Sequence, residues 1–283
     1  MPDPRKTTAM KRLPLTGATT STPLAPLRAG MPAMDSIHAT MSFAPKSGGP
    51  TYRIIRTTET DAYETTPPAV KLSMMLRVKG APPTAALAAV VKVKPPKGDN
   101  FAGTARKAAK LSKASAPLEN FKDLKDLIGS FAPETQMIKH KPPITTTATS
   151  NRVKEEKRNV RVSAFLYAAS RETDNDFHLI VGRAQNVTPE MYMTMEVSGL
   201  PPKTDPAFTD LNNARSAYKK FFGDSKLPGF TYDFYDPPIP IKIEGSPFFD
   251  MTHATGARPG PQSLKSRMPT IWEVHPLTSI KLG

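Results

Sequence analysis

The chain has 283 residues, of which 38% are hydrophobic and 31 are proline, so one core spanning its whole length is not expected. It contains no cysteine, which excludes disulfides, thiolate metal sites and cysteine nucleophiles. The net charge of +14 is concentrated at the front: residues 1–150 hold 22 basic and 10 acidic side chains, net +12, against 17 and 15, net +2, in the rest.

Residues 1–50 mix Pro, Thr, Met and Gly without periodicity and are expected to form a disordered basic tail. Arg5, Lys6, Lys11, Arg12 and Arg28 precede no apolar core, so no signal peptide is expected and the chain is assigned to the cytoplasm. No apolar run reaches the roughly 18 residues of a transmembrane segment. Residues 51–149 are expected to be a loosely structured arm. Its short strands, 52–56, 70–78 and 88–93, are separated by proline pairs at 67–68, 82–83 and 95–96, which suits isolated or edge segments. Arg106, Lys107, Lys110 and Lys113 mark a weak basic helix over 101–115. A better helix is predicted over 118–131, where Leu118, Phe121, Leu124, Leu127 and Ile128 share a face and Pro133 forces the end. Residues 142–150 read as a linker.

From residue 158 the pattern becomes alternation. Val160, Val162, Ala164 and Leu166 define a first strand, Phe177, Leu179 and Val181 a second, and Met191, Met193, Met195 and Val197 a third. Asp205, Pro206 and Gly223 bracket a helix with Ala207, Leu211, Ala214, Tyr218 and Phe221 or Phe222 along one stripe. Strands at 239–245 and 271–280 follow. Five strands with a helix between the third and fourth match a mainly β fold, the five-stranded Greek-key barrel called the OB-fold, over 150–283. A mixed sheet with one packed helix is the alternative.

Three motifs stand out in this half: Asp174-Asn175-Asp176-Phe177-His178, Gly245-Ser246-Pro247-Phe248-Phe249-Asp250-Met251-Thr252-His253, and Trp272-Glu273-Val274-His275-Pro276. Together they resemble a set of uncharacterised bacterial proteins over about residues 150–283. The resemblance implies a shared fold and marks these positions, but it supplies no reaction.

Residues two apart on a strand share a face, so Asp176 neighbours His178 and Glu273 neighbours His275. Asp250 and His253 flank the end of the fourth strand. These six residues are the candidate ligands of a divalent metal that activates water. The same pairs also suit a simpler role, carboxylates fixing histidine tautomers by hydrogen bonds. A second candidate site uses Arg258, Lys265 and Arg267 in the loop before the last strand, with Tyr167 and Tyr192 as stacking rings for single-stranded nucleic acid or another polyanion. The expected function is a binding or interaction protein with nucleic-acid, polyanion or protein partners. The alternative is a metal-dependent hydrolase or nuclease working through the histidine–carboxylate pairs.

Overall fold

The computed structural model describes residues 30–46, 48–61, 98–256 and 258–283. Its strands are β1 (Ile37–Phe43), β2 (Tyr52–Thr57), β3 (Leu118–Phe121), β4 (Asn159–Arg171), β5 (Phe177–Gly182), β6 (Tyr192–Val197), β7 (Asp233–Phe249) and β8 (Trp272–Leu282). Its α-helices are α1 (Lys107–Lys110), α2 (Leu124–Gly129), α3 (Glu134–Ile138) and α4 (Phe208–Phe222). Among the described residues no helix is long and apolar enough to cross a membrane.

The five strands and the helix expected after residue 158 all form. The five-stranded barrel does not describe the result, because the strands belong to one eight-stranded mixed sheet of order β1-β2-β7-β8-β6-β5-β4-β3, with β7 also paired to β4. The reason lies in strand length. β7 runs 17 residues and β4 runs 13, so each extends past its neighbours and offers free backbone groups. β2 pairs with the first residues of β7, Asp233 to Asp236, and β3 pairs in parallel with the start of β4.

The apolar side of the alternation is the core, as expected. Val160, Val162, Leu166, Phe177, Leu179 and Val181 are buried with Met193, Met195 and Val197. Helix α4 covers them with Ala214, Tyr218, Phe221 and Phe222. Its start is two residues later than predicted, since Asp205 accepts the amide of Ala207 and Phe208 N–H donates to the Asp205 carbonyl.

The front half departs from expectation where it is described. Residues 37–43, placed in the tail, form β1. The helix predicted over 118–131 divides into β3 and α2, because Asp123 accepts the Lys125 amide at 2.7 Å and caps a helix that begins only at Leu124. The helix predicted over 101–115 shrinks to α1. Arg152 donates to the carbonyls of Ala109 and Ser112, which keeps them from continuing a helix. The linker at 142–150 is part of the packing: Ile144 is buried, and Thr146 and Ala148 accept the amides of Arg106 and Ala108. The tail at 1–29 and the strands at 70–78 and 88–93 lie outside the described residues.

A buried ion pair fastens this front segment to the sheet. Arg106 has φ 48°, and its guanidinium reaches Glu156 with a bidentate pair at 2.6 and 2.8 Å. Arg106 also donates to the Phe249 carbonyl at 3.0 Å, and Glu156 accepts the Phe249 amide at 2.9 Å. Both side chains are almost fully buried. A pair so satisfied tolerates burial, whereas a lone member does not.

Replacing Glu156 with alanine strands the Arg106 charge, so Glu156→Ala is expected to lose about 3–5 kcal/mol of stability in urea denaturation; a loss below about 1 kcal/mol would remove the pair from this role. A second test concerns Asp233, 2% exposed on β7. Burial raises its pKa to about 7, and Arg56 at 3.4 Å offsets only part of that cost. The unfolded group ionises near 3.9. Between about pH 4 and 7 the folded state holds a proton that the unfolded state has lost, so stability falls as pH rises through this window. Asp233→Asn is therefore expected to be more stable than the native chain at pH 8, by an amount on the order of 4 kcal/mol. The gain should vanish near pH 3.5, and a pH-independent difference would contradict the assignment.

Candidate metal centre

Strands β5, β6 and β8 lie side by side, and their second face is buried as well. In the ladder His178 stands opposite Glu196 and Thr194 opposite Glu273. Alternation then places His178 on β5, Thr194 and Glu196 on β6, and Glu273 and His275 on β8 along one face. The residues before and after the strands complete the cluster. Asp174 and Asp176 come from the turn entering β5, Asp250 and His253 from the end of β7, and Asp61 from the segment after β2.

Three groups of side chains bring one ligand atom each to within 4.8 Å of one another: Glu172–His178–Glu196, Asp176–Glu196–His275 and Asp250–His253–Glu273. All six metal candidates from the sequence are thus drawn into one region, joined by Glu172 and Glu196. Asp250 and His253 pair along the chain as expected, whereas the shortest contacts of His275 run to other strands and turns. His275 Nδ1 is 2.6 Å from Glu196 Oε2 and 3.9 Å from Glu273 Oε2, while its Nε2 is 3.3 Å from Asp176 Oδ2.

The histidines differ in how they are held. His178 is bonded at both nitrogens, Nδ1 to Glu172 and Nε2 to Thr194 Oγ1 at 3.0 Å. That fits the tautomer-fixing role. His253 Nδ1 bonds Asp250 Oδ2 at 2.5 Å, and its Nε2 lies 3.6 Å from Asp61. His275 is fully buried and paired with Glu196 and Asp176, but among the described residues neither ring nitrogen meets a partner in regular hydrogen-bond geometry. Asp176 Oδ2, Glu196 Oε2 and Glu273 Oε2 are buried without hydrogen bonds too. Asp176 keeps its other oxygen on the Gly199 amide at 2.5 Å, which fixes the direction of Oδ2.

Charge follows from this geometry. Burial pushes the carboxyls of Asp176 and Glu273 well above the usual range, and neighbouring carboxylates push them further. Burial lowers His275 toward the neutral ring, a form with a free lone pair for a metal. Burial would lower His253 as well, but bonding to Asp250 and Asp61 lifts it to about 10. The Lys110 ammonium, brought in by α1, donates to Asp174 at 3.0 Å and lies 3.7 Å from Asp176 and 3.8 Å from Glu196. Those carboxylates raise its pKa despite burial.

The site opens into a cleft of about 500 Å3 lined by Asp61, Lys110, Asp174, Glu196, Asp250 and His253 together with the backbone at 102–105. Gly103 is part of that wall. A Cβ there would lie 2.6 Å from Asp174 Cβ, so only glycine lets the segment approach the turn. Arg152 holds the rear of the site by donating to the carbonyls of Pro247 and His275, each at 2.5 Å. Arg215 holds the turn entering β5 through the carbonyls of Asn175 and Ser198.

Sequence reasoning did not single out Asp61, Lys110, Glu172 or Glu196. Glu196 did carry a signal, as the one acid in the otherwise apolar or neutral strand 191–197.

The stacking site expected from Tyr167 and Tyr192 is corrected by packing. Both rings are buried, edge to face at 4.9 Å, beneath Leu264 and Met268 of the loop expected to present basic groups. Arg267 is paired with Glu190 and Arg258 with Glu134, and Lys265 lies half-buried in a short 3-10 turn. None of the five lines the cleft. No protein-family model, curated protein or solved structure matches the chain.

Thr194→Val keeps the shape of the side chain but leaves His178 Nε2 buried without its partner. It is expected to cost about 1–3 kcal/mol in thermal or urea unfolding; an unchanged midpoint would show that the Thr194 bond does not hold the ring.

Proposed function

We propose that the chain is a metal-dependent hydrolase whose divalent ion is held by Asp176, Glu196 and His275. One observation carries this reading. Asp176 Oδ2, Glu196 Oε2 and both His275 nitrogens are buried and crowd one another, with His275 Nδ1 2.6 Å from Glu196 and Nε2 3.3 Å from Asp176, and among the described residues none of the four finds a well-aligned hydrogen bond. Buried polar atoms are almost always hydrogen-bonded. Imidazole and carboxylate atoms that converge in this way are suited to act as ligands around a common point. One imidazole with two carboxylates suits a borderline or hard divalent ion such as zinc or manganese.

A bound ion would polarise a substrate oxygen and lower the pKa of a water. The protein supplies the remainder. Asp174 is fixed beside Asp176 by accepting the Asp176 amide at 3.2 Å, and it lines the cleft, so it is placed to take the water proton. The water oxygen bonds to the electrophilic centre, the bond to the leaving group breaks, and the proton passes to the leaving group. Lys110 lies beside these carboxylates and would stabilise negative charge developing on the substrate.

The net charge of +12 in residues 1–150 favours a polyanionic substrate, which makes a single-stranded oligonucleotide the first one to test. The decisive measurement is equilibrium dialysis of the full chain against Mn2+ and Zn2+, followed by a metal-dependent cleavage assay on that oligonucleotide and on a p-nitrophenyl ester. The native chain is expected to bind metal, and His275→Ala and Glu196→Gln to weaken binding by more than about 100-fold with loss of cleavage. Failure of the native chain to bind either ion would overturn the reading.

A further inference from the structure

Beside the ion just proposed, Asp250, His253 and Glu273 form a second group whose ligand atoms lie within 4.8 Å of one another. We infer that this group binds a second divalent cation, making the centre dinuclear; the inference rests on the hydrolase reading above.

Glu273 gives the independent indication. It is 1% exposed, and its Oε2 makes no hydrogen bond although it is buried among charged groups. A carboxylate oxygen left so in the interior is costly unless a cation or a proton meets it. The two sites are adjacent, since Glu273 Oε2 is 3.9 Å from His275 Nδ1. With metal–ligand bonds of about 2.1 Å on either side, the ions are at most about 8 Å apart.

Position distinguishes the two sites. Glu196 is the one ligand of the first group that lines the cleft, whereas Asp250 and His253 of the second both do, with Asp61 3.6 Å from His253 Nε2. The second ion would sit on the solvent side of the first, where Asp61 is a further carboxylate within reach. The metal is again a first-row divalent ion taking carboxylate oxygen and the His253 imidazole, which would release its proton as the ion binds.

Charge balance agrees with two ions. Seven carboxylates gather in the three groups and the cleft wall, against Lys110 as the one lysine or arginine lining it. One dication together with Lys110 and the His253 cation leaves part of that charge for protons or a second ion to meet. Two neighbouring ions also fit hydrolysis, one beside the attacking oxygen and the other beside the leaving oxygen.

The test uses the full native chain loaded with Mn2+. Metal analysis after gel filtration is expected to give two ions per chain, and low-temperature electron paramagnetic resonance is expected to show the spectrum of a coupled manganese pair. His253→Gln and Asp250→Asn should each bring the count to one and restore an isolated six-line signal. One ion per native chain, or two ions retained by both variants, overturns the second site while leaving the hydrolase reading standing. Zero ions in the native chain overturns both. Because the native count and spectrum decide the matter, a variant that fails to fold does not remove the test.

Discussion

Burying carboxylates and imidazoles together on one face of the sheet is the constraint to which the rest of the molecule answers. The strands that carry His178, Glu196, Glu273 and His275 are covered on both faces, so these groups are cut off from the water that would solvate their charge. Low dielectric strengthens every attraction and every repulsion among them. Protons account for some of the relief, as the raised carboxyls of Asp176 and Glu273 show. Lys110 and His253 supply positive charge from two different directions.

Lys110 would not reach its place without the front half, and Asp61 from the same half pairs with His253. Lys110 rides on α1, and α1 is fixed because Arg106 is anchored on Glu156 and Arg152 ties Ala109 to the carbonyls of Pro247 and His275. The same contacts hold the ends of β7 and β8, the strands beside which Asp250 and on which Glu273 and His275 are placed. Positioning the lysine and supporting the ligand strands are therefore one packing problem. The interior gathers acidic groups while the chain as a whole is basic, and the segment 98–115 is where these two tendencies meet.

The strands and α4 were legible because each has a local period. Phe177, Leu179 and Val181 mark one face of β5 with no knowledge of anything else, and the same period puts Asp176 beside His178 and Glu273 beside His275. What the period cannot give is which strands become neighbours. The site exists because β6 runs parallel to β8, setting Thr194 opposite Glu273, and that pairing spans about 80 residues of sequence. Asp61 comes from a segment with no sustained pattern, and Lys110 was legible only as one of four basic residues of a weak helix, so nothing local tied either to the site. The aromatic reading failed for a related reason. Alternation shows that Tyr167 and Tyr192 lie on the face away from the main core, but only the tertiary fold reveals that Leu264 and Met268 cover them.

A polar face in a strand is commonly a wet face, and the alternation of Tyr192, Thr194 and Glu196 against methionines would ordinarily be read that way. Here the whole of β6 is buried. Such a face costs stability, because apolar residues of similar volume would not need Lys110 to offset charge. The cost has a consequence for binding. Carboxylates that cannot be solvated hold a cation more strongly than exposed ones, and a ring kept neutral by burial needs no deprotonation before it coordinates. The geometry that weakens the fold is thus the same geometry that would favour a metal, and it is concentrated where Asp176, Glu196, Glu273 and His275 meet.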